Sequence, residues 1–122
     1  MAGEIYPSGA WRGFYSYGQG DRHHMQLDLL FSSGVLAGDG LDDVGSFVIH
    51  GSYDPVSGSC GWIKTYIGCH DVTYSGAGDG DGIAGTWQLG TNSGTFRIWP
   101  ARRNDAGGVN ESIEYEPVET AS

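Results

Sequence analysis

The chain of 122 residues contains 22 Gly, 12% aromatic and 39% hydrophobic residues, enough for one domain with a modest core and too little for a multidomain enzyme. Its glycines have no Gly-X-Y period, there are only 4 Pro, and aromatic residues recur between them, which excludes a collagen-like chain and a disordered linker. Fifteen acidic against six basic residues give a net charge of -9, which repels a phosphate backbone and excludes nucleic acid and an anionic membrane surface as expected partners.

No apolar run approaches the length of about 18 residues that crosses a membrane, and the opening MAGEIYPSGAW lacks the basic and apolar regions of a secretory signal. A cytoplasmic location is the expectation. Cys60 and Cys69 form no Cys-x-x-Cys pair, so neither a disulfide framework nor a zinc ribbon is expected.

In chain order, no window shows a helical apolar repeat, whereas period-2 alternation bounded by Gly, Asp, Asn and Ser returns repeatedly. The plainest case is Met25, Leu27, Leu29 and Phe31 alternating with His24, Gln26, Asp28 and Leu30. The same rule predicts strands near 10–17, 23–32, 35–42, 46–53, 60–67, 69–76, 82–89 and 94–99. The intervening turns GQGD, SSG, DDVG, DPVSG, IGC, GAGDGD and GTNSG are rich in residues that accept positive φ or bond their own backbone. Short turns make sequential strands antiparallel neighbours. The expected fold is therefore all-β, an eight-stranded antiparallel up-and-down β-barrel, with a two-sheet β-sandwich as the alternative. Gly13, Gly38, Gly40, Gly51, Gly61, Gly76 and Gly85 fall inside strands and are expected at corners. Residues 1–8 read as a lead, 9–103 as the barrel and 104–122 as an acidic tail, with Ile113 and Tyr115 as its anchors.

Gly9-Ala10-Trp11 at the start of the first strand resembles the Gly-x-Trp of the calycin barrels, which comprise lipocalins, fatty-acid-binding proteins and avidins. The resemblance covers residues 9–103 as architecture. It implies that Trp11 closes one barrel end and that Arg102 or Arg103 covers it. The avidins' polar biotin ligands find no counterpart, because the first strand offers Arg12, Phe14, Tyr15 and Tyr17, so biotin is not the expected ligand.

Alternation places Tyr17, His23, Asp42, Lys64, Tyr66 and His70 inward at the end where odd strands finish and even strands start. Trp11, Phe31, Leu36, Tyr53, Trp62, Ile83 and Ile98 take the opposite end, which gives a cup with an apolar floor and a polar rim. Lys64, between Trp62 and Tyr66, reads either as a cation for an anionic or carbonyl group or as half of an internal pair with Asp42. The leading expectation is non-catalytic binding of a small, partly polar molecule by those six rim residues, with no cofactor.

The alternatives are a filled barrel serving as a structural or protein-interaction domain, and an enzyme using His23 or His70 with Asp42 and Lys64. No metal is expected: His23, His70 and Asp42 carry suitable donors without a spacing motif, and Asp79-Gly80-Asp81-Gly82 lacks the later Glu of a calcium loop and reads as a type I′ turn. Asp39, Asp43 and Asp71 read as solvated. The Cys60 and Cys69 side chains have opposite parity, which argues against a disulfide, and His70 follows Cys69 on the other face, which argues against a thiol nucleophile. Phe14, Leu30, Val48, Ile63, Ile67 and Trp99 form an outward apolar set, to be covered by the C-terminal segment or by a second barrel in a homodimer, the latter preferred.

Overall fold

The computed structural model describes residues 5–101 apart from residue 19; Arg102, Arg103 and the acidic tail lie outside the described residues. Eight strands follow one another: β1 (Gly9–Ser16), β2 (His23–Ser32), β3 (Val35–Asp42), β4 (Ser46–Tyr53), β5 (Cys60–Tyr66), β6 (Asp71–Asp79), β7 (Gly82–Leu89) and β8 (Asn92–Pro100). Each pairs antiparallel with the next, and β8 pairs with β1, so the sheet closes in up-and-down order and keeps no free edge. The sandwich alternative is thereby excluded.

Closure follows from the alternation. In β2 every second side chain, Met25, Leu27, Leu29 and Phe31, is buried, while Leu30 between them stays exposed. The inner face is then filled by a small-against-large arrangement. A Cβ on Gly40 would lie 2.6 Å from Phe47 Cζ, one on Gly51 2.5 Å from Trp62 Cα, and one on Gly94 2.6 Å from Trp87 Nε1. Gly13, Gly38, Gly76 and Gly85 are blocked in the same way. These glycines are therefore not simply corners. They are inward positions pressed against the neighbouring strand, with an aromatic residue lying over Gly40, Gly51, Gly76 and Gly94, the arrangement that fills a small barrel. Gly61 is the exception, its nearest foreign atom being 3.7 Å from a built Cβ.

One end of the barrel, where the chain enters, is plugged by rings. Tyr6, from the segment before β1, packs on Phe31 at 5.2 Å and on Tyr53 at 6.2 Å, and Trp11 meets Phe31 at 5.5 Å. Polar edges of this plug are satisfied: the Tyr6 hydroxyl donates to Gly58 O at 2.5 Å and Trp11 Nε1 donates to Pro7 O at 2.8 Å. Burial raises the Tyr6 phenol to about 12. Above the plug Trp62 stacks on Tyr74 at 5.4 Å, with Phe96 edge-on to both.

Turn chemistry sets the register. Ser33 and Gly34 both take positive φ, 51° and 85°, as a type I′ hairpin requires. The β6–β7 turn differs from the expected type I′, because Gly80 has φ 67° whereas Asp81 is absent from the positive-φ residues. Its acids are engaged by β8: Arg97 Nε donates to Asp79 Oδ2 at 3.0 Å, and Arg97 Nη2 lies 3.8 Å from Asp81 Oδ1. The start of β6 also differs from expectation. Gly68, at φ 74°, folds residues 67–70 into a turn in which Tyr66 N donates to His70 O at 3.0 Å, so Cys69 and His70 precede the strand.

Candidate functional site

At the end opposite the plug, two adjacent polar networks share the consecutive residues Asp42 and Asp43. The inner one centres on Asp42, the last residue of β3. Its Oδ1 accepts from Val44 N at 2.9 Å and Gly45 N at 3.4 Å, the self-capping bond of an Asx turn. Its Oδ2 accepts from Lys64 Nζ at 2.8 Å and from the Tyr66 hydroxyl at 2.6 Å. Both ionic side chains are closed to solvent, 1% exposed for Lys64 and 0% for Asp42.

Lys64 stands mid-strand in β5, beside Ile49 of β4 and Val72 of β6 in the sheet register. Its ammonium lies 4.6 Å from the Phe47 ring centre, 4.7 Å from Tyr15, 4.9 Å from Tyr74 and 5.0 Å from Tyr66, with Met25 Sδ at 3.5 Å. Burial pushes the lysine below its ordinary value, and the hydrogen bond to Asp42 opposes that shift. Burial, reinforced by the bond to the Asp42 carboxylate, pushes the Tyr66 phenol up, so it remains a donor. Tyr74, 2% exposed, has no hydrogen-bond partner for its hydroxyl among the described residues; burial and then the Asp42 charge raise its phenol as well.

The outer network centres on His23. Its Nδ1 lies 2.6 Å from Asp43 Oδ2 and its Nε2 2.9 Å from Asp21 Oδ2. The Tyr15 hydroxyl donates to the other Asp43 oxygen at 2.5 Å, and the Tyr15 ring stacks on the imidazole at 4.8 Å. The hydrogen bond to Asp43 is the largest influence on His23 and raises it above its ordinary value, against desolvation. Burial works against ionised Asp43, yet hydrogen bonds from Tyr15 and His23 outweigh it and the carboxyl is lowered. Asp21 also accepts from the Ser16 hydroxyl at 3.1 Å, and Ser16 O accepts from Trp87 Nε1 at 3.0 Å, which ties the rim to β7.

All six residues named from the sequence stand at this end. Asp42, Lys64 and Tyr66 form one sealed cluster. Tyr17, just past β1 and 52% exposed, packs edge-on against His23 and Trp87, each at 5.2 Å. The His70 ring, in the β5–β6 turn, packs on the Tyr66 ring at 5.1 Å. The carboxylates that hold His23 are Asp43 and Asp21, not Asp42. Asp43, read from the sequence as solvated, is half exposed and fully engaged. Strand parity stops in a turn, so two successive acids can face the same rim; the signal was their place in a turn at the polar end.

Among the described residues no group of three or more His, Cys, Asp and Glu is arranged to hold a metal ion. Cys60 is buried, Cys69 is exposed, and both are free thiols. On the outer wall Leu30, Leu41, Val48, Ile63 and Ile67 are exposed. Part of this set lines a groove of about 430 Å³ with Gln26, Asp28, Asp39 and Ser46. Phe14 and Trp99 are partly covered, by each other and by the guanidinium groups of Arg22 and Arg97.

Fold and site together define a small closed antiparallel barrel with an apolar plug at one end and a charged rim at the other. No family model, curated protein or solved structure matches the chain.

Proposed function

We propose that this protein is a non-catalytic binding module of calycin-like architecture that takes a small, partly polar ligand at its charged rim. The observation that carries this reading is the one-sidedness of the barrel interior: rings seal the end where the chain enters, and the inward-facing charged side chains, Lys64 and Asp42 with His23 above them, stand at the other. The likeness of Gly9-Ala10-Trp11 to the calycin Gly-x-Trp agrees with it, since Trp11 sits in the plug. The ligand-facing groups are then Tyr17, His23 and His70, with Asp21 and Asp43 as hydrogen-bond acceptors, while the sealed Lys64, Asp42 and Tyr66 shape the floor beneath them. Native mass spectrometry of the protein as purified tests it. A mass excess lost on denaturation, and reduced by Tyr17→Ala, supports the reading.

A second reading is a filled barrel that works as a protein-interaction domain or homodimer through its outer wall. The exposure of Leu30, Leu41, Val48, Ile63 and Ile67 favours it. A dimer mass without adduct, abolished by Ile63→Asp, decides for it.

A further inference from the structure

The sealed pair of Lys64 and Asp42 has the parts of a condensation centre. We propose that the Lys64 amine and the Asp42 carboxyl join in an intramolecular amide bond, linking β3 to β5 across the barrel interior. The inference is independent of ligand binding at the rim.

Four features support it. The reacting groups are in contact, Nζ 2.8 Å from Oδ2, and the barrel holds them there with neither side chain open to solvent. Fixing two reactants together removes the entropic barrier that limits the same reaction in solution. The carboxyl is polarised from both oxygens: Oδ1 receives the Val44 and Gly45 backbone N–H groups, and Oδ2 receives the Tyr66 hydroxyl. The Val44 N–H, at 2.9 Å, and more distantly the Gly45 N–H, at 3.4 Å, aim backbone dipoles at the oxygen on which negative charge develops.

The surroundings are apolar. Rings of Tyr15, Phe47, Tyr66 and Tyr74 and the Met25 thioether enclose the amine. The rings favour the ammonium, while burial pushes the lysine below its ordinary value against the opposing hydrogen bond and charge of Asp42. The same enclosure keeps out the bulk water that would reverse the reaction.

The atoms balance without a co-reactant. A proton passes from Lys64 Nζ to Asp42 Oδ2 along their hydrogen bond, leaving a neutral amine and a carboxylic acid. The nitrogen lone pair attacks Cγ, and the electron pair of the Cγ=Oδ1 bond moves onto Oδ1, under the Val44 and Gly45 amides. Oδ2 then leaves as water, its second proton coming from Nζ by way of the Tyr66 hydroxyl, which gives one proton and regains another. One C–N bond forms, one C–O bond breaks, and nothing is oxidised or reduced.

Lys64 is the chain's one lysine, which makes the test simple. The folded, purified full chain is denatured, weighed, and digested with a protease that cuts after lysine. The expected result is a mass one water below that of the sequence and no cleavage after Lys64, so that this protease leaves the chain whole. A second digestion, with a protease that cuts after aromatic residues such as Phe47 and Trp62, is then expected to release a branched peptide joining Asp42 to Lys64. The full sequence mass with cleavage after Lys64 overturns the proposal. So does a water loss that maps to a cyclic imide at Asp39-Gly40, Asp79-Gly80 or Asp81-Gly82. Asp42→Ala keeps its full mass whether or not it folds, so any remaining water loss in that variant also counts against the bond. Tyr66→Phe, by removing the relay, is expected to slow cross-linking at least tenfold when chains recovered unfolded and at full mass from inclusion bodies are folded and weighed over time.

Discussion

His23 Nδ1 and Asp43 Oδ2 meet at 2.6 Å, and the opposite ring nitrogen faces Asp21, so the imidazole is clamped between two carboxylates from different turns. The clamp favours the imidazolium and raises the His23 pKa above its ordinary 6.5. A raised folded-state value contributes stability that is fully present below the unfolded-state value and is lost as pH rises through the folded one. Asp43, lowered from its ordinary 3.8, contributes in the opposite sense: its share is present above that value and lost as pH falls through the depressed one.

Urea unfolding across pH is therefore expected to show stability falling as pH rises from 6.5 through the raised His23 value, and falling separately as pH drops below 3.8 through the depressed Asp43 value. NMR titration of His23 in Asp43→Asn should move its pKa downward and flatten the alkaline fall. An unmoved pKa would assign the shift to Asp21 alone.

Removing half of the sealed pair leaves the other half without its partner in an apolar interior. Lys64→Met is expected to cost about 3–5 kcal/mol in urea unfolding, in the range for an uncompensated buried charge. Adding Asp42→Asn keeps the Asx-turn acceptor and removes the charge, so the double variant should regain much of that loss. An additive double variant would show that the two residues do not act as a pair.

The inward glycines carry a contrast that packing alone decides. A Cβ at Gly51 meets Gly61 O at 2.1 Å and Trp62 Cα at 2.5 Å, backbone atoms that cannot step aside. Gly51→Ala is expected to destabilise by about 1–3 kcal/mol or more. Gly61→Ala, on the outer face of the neighbouring strand, should be neutral or gain about 0.4–1 kcal/mol by narrowing the unfolded ensemble. Chemical denaturation midpoints of the two variants compare them directly.

The two thiols differ in access. Burial pushes the Cys60 thiol up, whereas Cys69 stands exposed in the β5–β6 turn. A thiol-reactive chromogenic reagent at mildly alkaline pH should label one cysteine of the native chain, Cys69, and both after denaturation. Fast labelling of both in the native state would mean that the plugged end opens.

The sequence alone determined the strand inventory, the up-and-down order and the polar end. Alternation, short turns and turn-forming residues act through neighbours a few positions away, as in Met25 to Phe31 of β2 or Ser33-Gly34 beyond it. Parity also assigned Lys64, Asp42 and Tyr66 to the same end, because inside strands it admits only two directions. It could not describe residues where parity ends. Tyr6 lies in the lead yet plugs the barrel, Asp43 and Asp21 sit in turns yet clamp His23, and His70 leaves the strand expected to carry it.

Only the tertiary structure decided between a barrel and a sandwich, since both share the same alternation and differ in whether β8 finds β1. It also decided that Gly40, Gly51 and Gly94 are beds for Phe47, Trp62 and Trp87, a relation between side chains on different strands. The closure of Lys64 and Asp42 against solvent arises the same way. Strands β1 to β6 each bring a residue to that point, and no local pattern in one strand records the contributions of the other five.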